Sequence, residues 1–120
     1  MLIKKFNACQ EIVAGDNCIL RELLSPNKDQ VKSRYSLAWA KVSVGAKTWM
    51  HAMKTTEVYF ILKGEGIMHI DDEAEKVEKY DTIYIPSQSS QFLENTGNEE
   101  LEFVCLVDPA WKVEDEVLLG

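Results

Sequence analysis

The chain has 120 residues, 46% of them hydrophobic and 28% charged, with a formal net charge of −7. That is apolar material for one core, so one domain over residues 1–120 is expected. The acidic balance argues against nucleic acid as a partner, because no basic face for phosphates is evident. No stretch approaches the ~18 uninterrupted apolar residues of a membrane helix, so no membrane partner is expected. Met1-Leu2-Ile3-Lys4-Lys5-Phe6 lacks the apolar core of a signal peptide. Cys9, Cys18 and Cys105 are odd in number and form no CxxC pair, which fits a reduced compartment. The expectation is a cytoplasmic protein.

Taken in chain order, the elements read as strand after strand. Cys18 to Leu24 is a first apolar run, ended by Ser25-Pro26-Asn27. The polar stretch from Asn27 to Arg34 reads as a loop or a short helix. Ser36 to Val44 alternates, with Ala38, Ala40 and Val42 on one face and Leu37, Trp39 and Lys41 on the other. Gly45 breaks that period. Trp49–Met53 and Glu57–Leu62 follow, the second rich in Tyr, Phe and Ile. Gly64 and Gly66 punctuate a turn before Ile67–Ile70, and Asp71-Asp72 makes the next turn. A strand over 81–86 is stopped by Pro86, and Gln91–Asn95 and Leu101–Val107 complete the set. The tail from Asp108 to Gly120 reads as a short helix started by Pro109 and anchored by Trp111. The acidic runs Asp71-Asp72-Glu73, Glu99-Glu100 and Glu114-Asp115-Glu116 read as solvated turns and a solvated tail. Many short strands with frequent turn signals predict an all-β sandwich or barrel.

Two segments carry the chemistry, one over 45–64 and one over 80–95. On a strand, His51 and Met53 point to the same side. A turn at Lys54-Thr55-Thr56 brings the chain back antiparallel, with Glu57 beside them. An imidazole and a carboxylate in one pocket can hold a metal, or act as a general acid/base pair without one. Tyr59 has the parity of Glu57 and is a candidate pocket residue. Against these stand plainer readings. The His51–Glu57 pair could simply fill the barrel, and Met50 and Met53 could be core filler. Phe103, Cys105 and Val107 share one face and read as wall residues. His69 alternates with the core positions Met68 and Ile70 and is read as surface. Trp39, Trp49 and Trp111 read as packing, with Trp39 also a candidate for a subunit interface.

The first segment resembles the first motif of the cupin superfamily: Gly, five residues, His-x-His, three or four residues, Glu, six residues, Gly. Gly45, His51, Glu57 and Gly64 match it, and Met53 stands where the second histidine would be. The second segment resembles the second motif: Gly, five residues, Pro-x-Gly, two residues, His, three residues, Asn. Pro86 and Asn95 match; Tyr80 and Gln88 replace the glycines, and Gln91 replaces the histidine. The resemblance covers residues 35–107. It implies an all-β fold, a double-stranded β-helix (jelly-roll) cupin barrel. It also implies a divalent metal (Mn, Fe, Zn or Ni) at His51, Met53, Glu57 and Gln91. The thioether of Met53 is a soft donor and the amide of Gln91 a weak one toward these metals. Two function classes are therefore carried forward. One is a metal-dependent enzyme, sugar-isomerase-like or dioxygenase-like, with His51 and Glu57 catalytic and Tyr59 and Gln91 binding a small polar ligand. The other is a non-catalytic small-molecule binding or sensor module that has lost its metal. A homodimer is expected, with Leu2, Ile3, Phe6 and Trp39 as candidate cover.

Overall fold

Alternating apolar residues and turn-forming Gly, Asp and Pro cut the chain into short strands, and these pair into two antiparallel sheets. The structure is a computed structural model and describes residues 1–14 and 18–120. One sheet runs in the order β1 (Glu11–Val13), β2 (Ile19–Leu24), β3 (Ser36–Val42), β10 (Leu101–Asp108), β5 (Thr56–Lys63), β8 (Thr82–Ile85). The other runs β11 (Glu116–Leu118), β4 (His51–Met53), β9 (Gln91–Asn95), β6 (Glu65–Ile70), β7 (Glu73–Glu78). Neighbours distant in sequence, such as β3 with β10 and β4 with β9, make this a jelly roll rather than a meander.

Period-two patterning decides which side chains face inward. On β10, Leu101, Phe103, Cys105 and Val107 are buried and the residues between them are partly exposed. On β5 the inward set is Glu57, Tyr59 and Ile61. Ile61, Ile85, Leu93 and Leu101 have almost no accessible surface, and each such side chain stabilises the fold by roughly 1.5–3 kcal/mol. Close backbone approach adds its own requirement. A Cβ on Gly66 would fall on the carbonyl oxygen of Glu94 in β9, and one on Gly64, at φ +87°, would lie 2.8 Å from the carbonyl oxygen of Glu100. Arg34 donates to Asp108 through Nε and Nη2, both at 2.7 Å, tying the approach to β3 onto the end of β10. The guanidinium holds the Asp108 carboxyl below its usual range.

Several expectations are corrected here. The tail forms no α-helix. One 3₁₀ turn at Val113–Asp115 leads into β11, which pairs with β4. Backbone bonds from Lys54 N to the Asp115 carbonyl and from Leu119 N to the Met50 carbonyl extend that pairing. A free sheet edge therefore satisfies the tail's backbone, and Val117-Leu118-Leu119 suits a strand. Residues 27–34 take the loop alternative, as turns and bends, while a 3₁₀ turn that was not expected lies at Phe6–Ala8. β7 is a strand where only a solvated turn was read at its start. Its side chains are exposed apart from Val77, so it carries no alternation to detect. Trp39 packs within the chain, as read: the Phe6 ring packs edge-on at 5.0 Å, Arg21 lies over the indole, and Trp39 Nε1 donates to Glu102 Oε1 at 3.2 Å. Among the described residues, no helix is long and apolar enough to cross a membrane.

Candidate functional site

β4 and β9 lie side by side in one sheet with His51 opposite Gln91, and β5 places Glu57 and Tyr59 on the inner face of the other sheet. The two inner faces meet in the barrel, and the four motif positions His51, Met53, Glu57 and Gln91 are all buried. Local chain geometry serves this placement. Gln91 follows a turn in which Gln88 N donates to the Met53 carbonyl at 2.6 Å, so the second motif is laced to the first.

A continuous chain of hydrogen bonds crosses the interior. The Tyr59 hydroxyl donates to Gln91 Oε1 at 3.1 Å. Gln91 Nε2 donates to Glu57 Oε1 at 2.7 Å. The Cys105 thiol donates to Glu57 Oε2 at 3.1 Å. Both carboxylate oxygens of Glu57 thus accept a bond from the protein, and the Gln91 amide is engaged at both ends. His51 Nδ1 lies 2.9 Å from the Trp49 carbonyl oxygen, which can only accept. Nδ1 therefore carries a proton, and the bond fixes the orientation of the ring.

Beside this chain lies a cavity of about 350 Å³, within the size range of small-molecule sites. His51, Met53, Glu57, Tyr59 and Cys105 line its interior, with Phe103 and Val107 beside them. Exposed Ile12, Val13, Lys28 and Trp111 stand at its mouth. Gln91 is not among the described lining residues; it holds Tyr59 and Glu57, which are. Asn95, the motif asparagine, is a turn brace: its Nδ2 donates to the Val42 and Glu99 carbonyls and its Oδ1 accepts from Gly97 N. His69 lies apart, stacked on Phe92 at 4.0 Å with Nε2 3.1 Å from Glu94 Oε1.

Two features of the site escaped the sequence. Cys105 was read as wall, which it is, but its thiol also bonds the carboxylate. Glu116 was read as part of a solvated tail, yet it lines the cavity. It pairs with Met53 across β11 and β4, and cross-strand partners share a face. The signal for Glu116 exists only once the tail is known to be a strand.

The residues present do not fit the implied metals. Of the four motif positions, one offers imidazole and one carboxylate, and that carboxylate and the Gln91 amide are bonded to each other. The remaining position is a thioether, poorly matched to Mn, Fe, Zn or Ni. Among the described residues, no three His, Cys, Asp or Glu side chains gather as a metal would need.

Two facing antiparallel sheets around an interior pocket define a jelly-roll barrel with a ligand-sized interior. The chain belongs to the cupin family: the Cupin domain model matches residues 38–107. It is 40% identical over 116 residues to an uncharacterized protein of Methanocaldococcus jannaschii, covering 96% of this chain and 92% of that one. It is 32% identical over 89 residues to an oxalate-binding protein of Thermotoga maritima, covering 73% of each. Among solved structures, a Cupin 2 conserved barrel domain protein from Salinispora arenicola superposes with a TM-score of 0.78 at 17% identity, covering 95% of this chain and 91% of that one. That last likeness speaks to the fold.

Proposed function

We propose that this cupin is a small-molecule-binding barrel that works without a resident metal. The observation that carries the reading is the bonded chain Tyr59–Gln91–Glu57–Cys105, which commits the motif carboxylate and the motif amide to each other. Gln91 takes over the anchoring of Glu57 that a cation would otherwise provide. The ligand then occupies the cavity beside His51, Met53 and Tyr59, over walls that are mostly apolar, with its polar end toward Glu57 and His51. The name of the T. maritima relative makes oxalate one probe for this cavity.

A second reading rests on the His51 geometry. Nδ1 is held on the Trp49 carbonyl, so the ring is oriented, and His51 and Glu57 line one cavity from facing sheets, a pairing of imidazole and carboxylate that suits proton transfer. Ligand recovered unchanged after long incubation would sink that enzymatic reading and leave the binding one.

The metal question is decided by the double substitution Met53→His with Gln91→His. It supplies two imidazoles on rigid strands and releases Glu57 from the amide. The parent, stripped of loose metal, is expected to hold well below one divalent ion per chain and the double variant close to one, by elemental analysis in parallel. High occupancy in the parent would defeat the metal-free reading.

A further inference from the structure

The inner face of β3 is built from small side chains. Ser36, Ala38 and Ala40 take successive inward positions, opposite Val107, Cys105 and Phe103 on β10. Ala38 and Ala40 also stand opposite Glu22 and Leu20 on β2. Other central strands carry larger inward residues, as with Ile61 on β5 and Leu101 on β10. A strand packed at native density wants Val, Ile or Leu at such positions. The short side chains leave a hollow along β3, and the cavity of about 350 Å³ opens over it, with all three residues in its lining. Ala38 is only half-buried, while Ser36 and Ala40 on either side of it are buried.

Leu20, Phe103 and Val107 wall this floor, with Met53 from the other sheet. Three polar side chains of the inner cavity use their protons within the protein. The Tyr59 hydroxyl donates to Gln91, the Cys105 thiol to Glu57, and His51 Nδ1 to the Trp49 carbonyl. Lys28 pairs with Glu22 at 3.1 Å, and no arginine is among the described lining residues. An anion taken out of water needs donors to receive it. Here it would have to draw those protons from bonds already made. An apolar body asks for none of them, and it restores the contacts that the small side chains of β3 forgo.

We infer that the cavity takes an uncharged, largely apolar molecule with the bulk of two fused rings, seated on Ser36, Ala38 and Ala40, and discriminates against carboxylates, oxalate included. This names the ligand class of the metal-free site proposed above and rests on that reading. An apolar cavity of about 150 Å³ accommodates one benzene ring, so the volume here suits roughly twice that body. Ala38 sets the depth of the seat, because it is the inward residue of the three that keeps open surface.

The test is isothermal titration of the full chain in EDTA with three probes: naphthol, naphthoate of the same shape, and oxalate. Naphthol is expected to bind roughly tenfold or more tightly than naphthoate, and oxalate more weakly still. Ala38→Leu fills the seat and is expected to weaken naphthol by about tenfold or more, with the strand signal in circular dichroism unchanged. Ala38→Ser nearly keeps the volume and sets a hydroxyl on the apolar floor. It is expected to weaken naphthol several-fold, and it decides the point if the leucine variant does not fold. Naphthoate or oxalate binding as tightly as naphthol would overturn the selection while leaving the ligand site standing. Unchanged naphthol affinity in folded Ala38→Leu, or in Ala38→Ser where the leucine variant does not fold, would take the ligand off β3 and overturn the inference as drawn. If none of the three probes binds, the inference and the cavity reading fall together; binding that appears only after Mn²⁺ is added defeats the metal-free reading, and the inference with it.

Discussion

The two ends of this barrel are built by the same strands and differ in what those strands turn inward. Along β5 the inward residues pass from Glu57 and Tyr59 to Ile61; along β9, from Gln91 to Leu93; along β10, from Cys105 back to Leu101. One end is closed by apolar side chains with almost no accessible surface and by a backbone contact that tolerates only glycine at position 66. The other holds a bonded polar chain beside a cavity. A step of two residues along a strand separates the two regimes. The closed end fixes the spacing of the sheets, and the open end can therefore hold buried polar groups in register.

The largest effect is expected from breaking the closed end. Gly66→Ala puts a methyl group on the Glu94 carbonyl and near Leu101 Cδ2, at 3.1 Å. Backbone of a paired strand has nowhere to give, so a loss of about 3 kcal/mol or more is expected by urea unfolding. A variant as stable as the parent would show that β6 and β9 can part without cost, and that the closed end is not what sets the spacing. The open end should break more gently. Gln91→Leu keeps the size and removes two bonds, taking a donor from Glu57 and an acceptor from Tyr59. A loss of roughly 2 kcal/mol is expected, with the barrel still folded by circular dichroism. Unchanged stability would mean that the polar chain is incidental and would remove the support for a metal-free site.

The closed end was the more legible of the two in the sequence. Period-two alternation on β3 and β10 identifies the apolar walls directly, and spacing within the first motif brings His51 and Glu57 to one pocket. What the sequence withholds is partnership. Nothing in the order of residues says that Gln91 reaches Glu57 across the sandwich, or that the Cys105 thiol reaches the other oxygen, because both depend on pairs 34 and 48 positions apart. β7 and β11 are hidden for a different reason. Each lies at a sheet edge with mostly exposed side chains, so burial imposes no pattern on either. Glu116 goes unseen with β11, although it faces the cavity.

A subtler comparison separates the turns from the strands. Tyr80 and Gln88 stand where the family motif has glycine, and both keep the left-handed backbone that glycine accommodates, at φ +74° and +67°. A side chain in that region costs about 1 kcal/mol, while glycine gives back part of the gain through its more flexible unfolded chain. Tyr80 offsets its strain by stacking on Phe60 at 6.1 Å, so its replacement would mix two effects. Gln88 is exposed, and the bond that holds its turn, from its own N–H to the Met53 carbonyl, belongs to the backbone and survives substitution. Gln88→Gly should therefore stabilise the chain by about 0.5 kcal/mol, read as a small rise in the midpoint of urea unfolding. Ligand binding should not change, since Gln88 is not among the described lining residues. A loss of stability would mean that the Gln88 side chain contributes more than its strain removes. A change in ligand affinity would show that this turn, through its bond to Met53, is part of the open end after all.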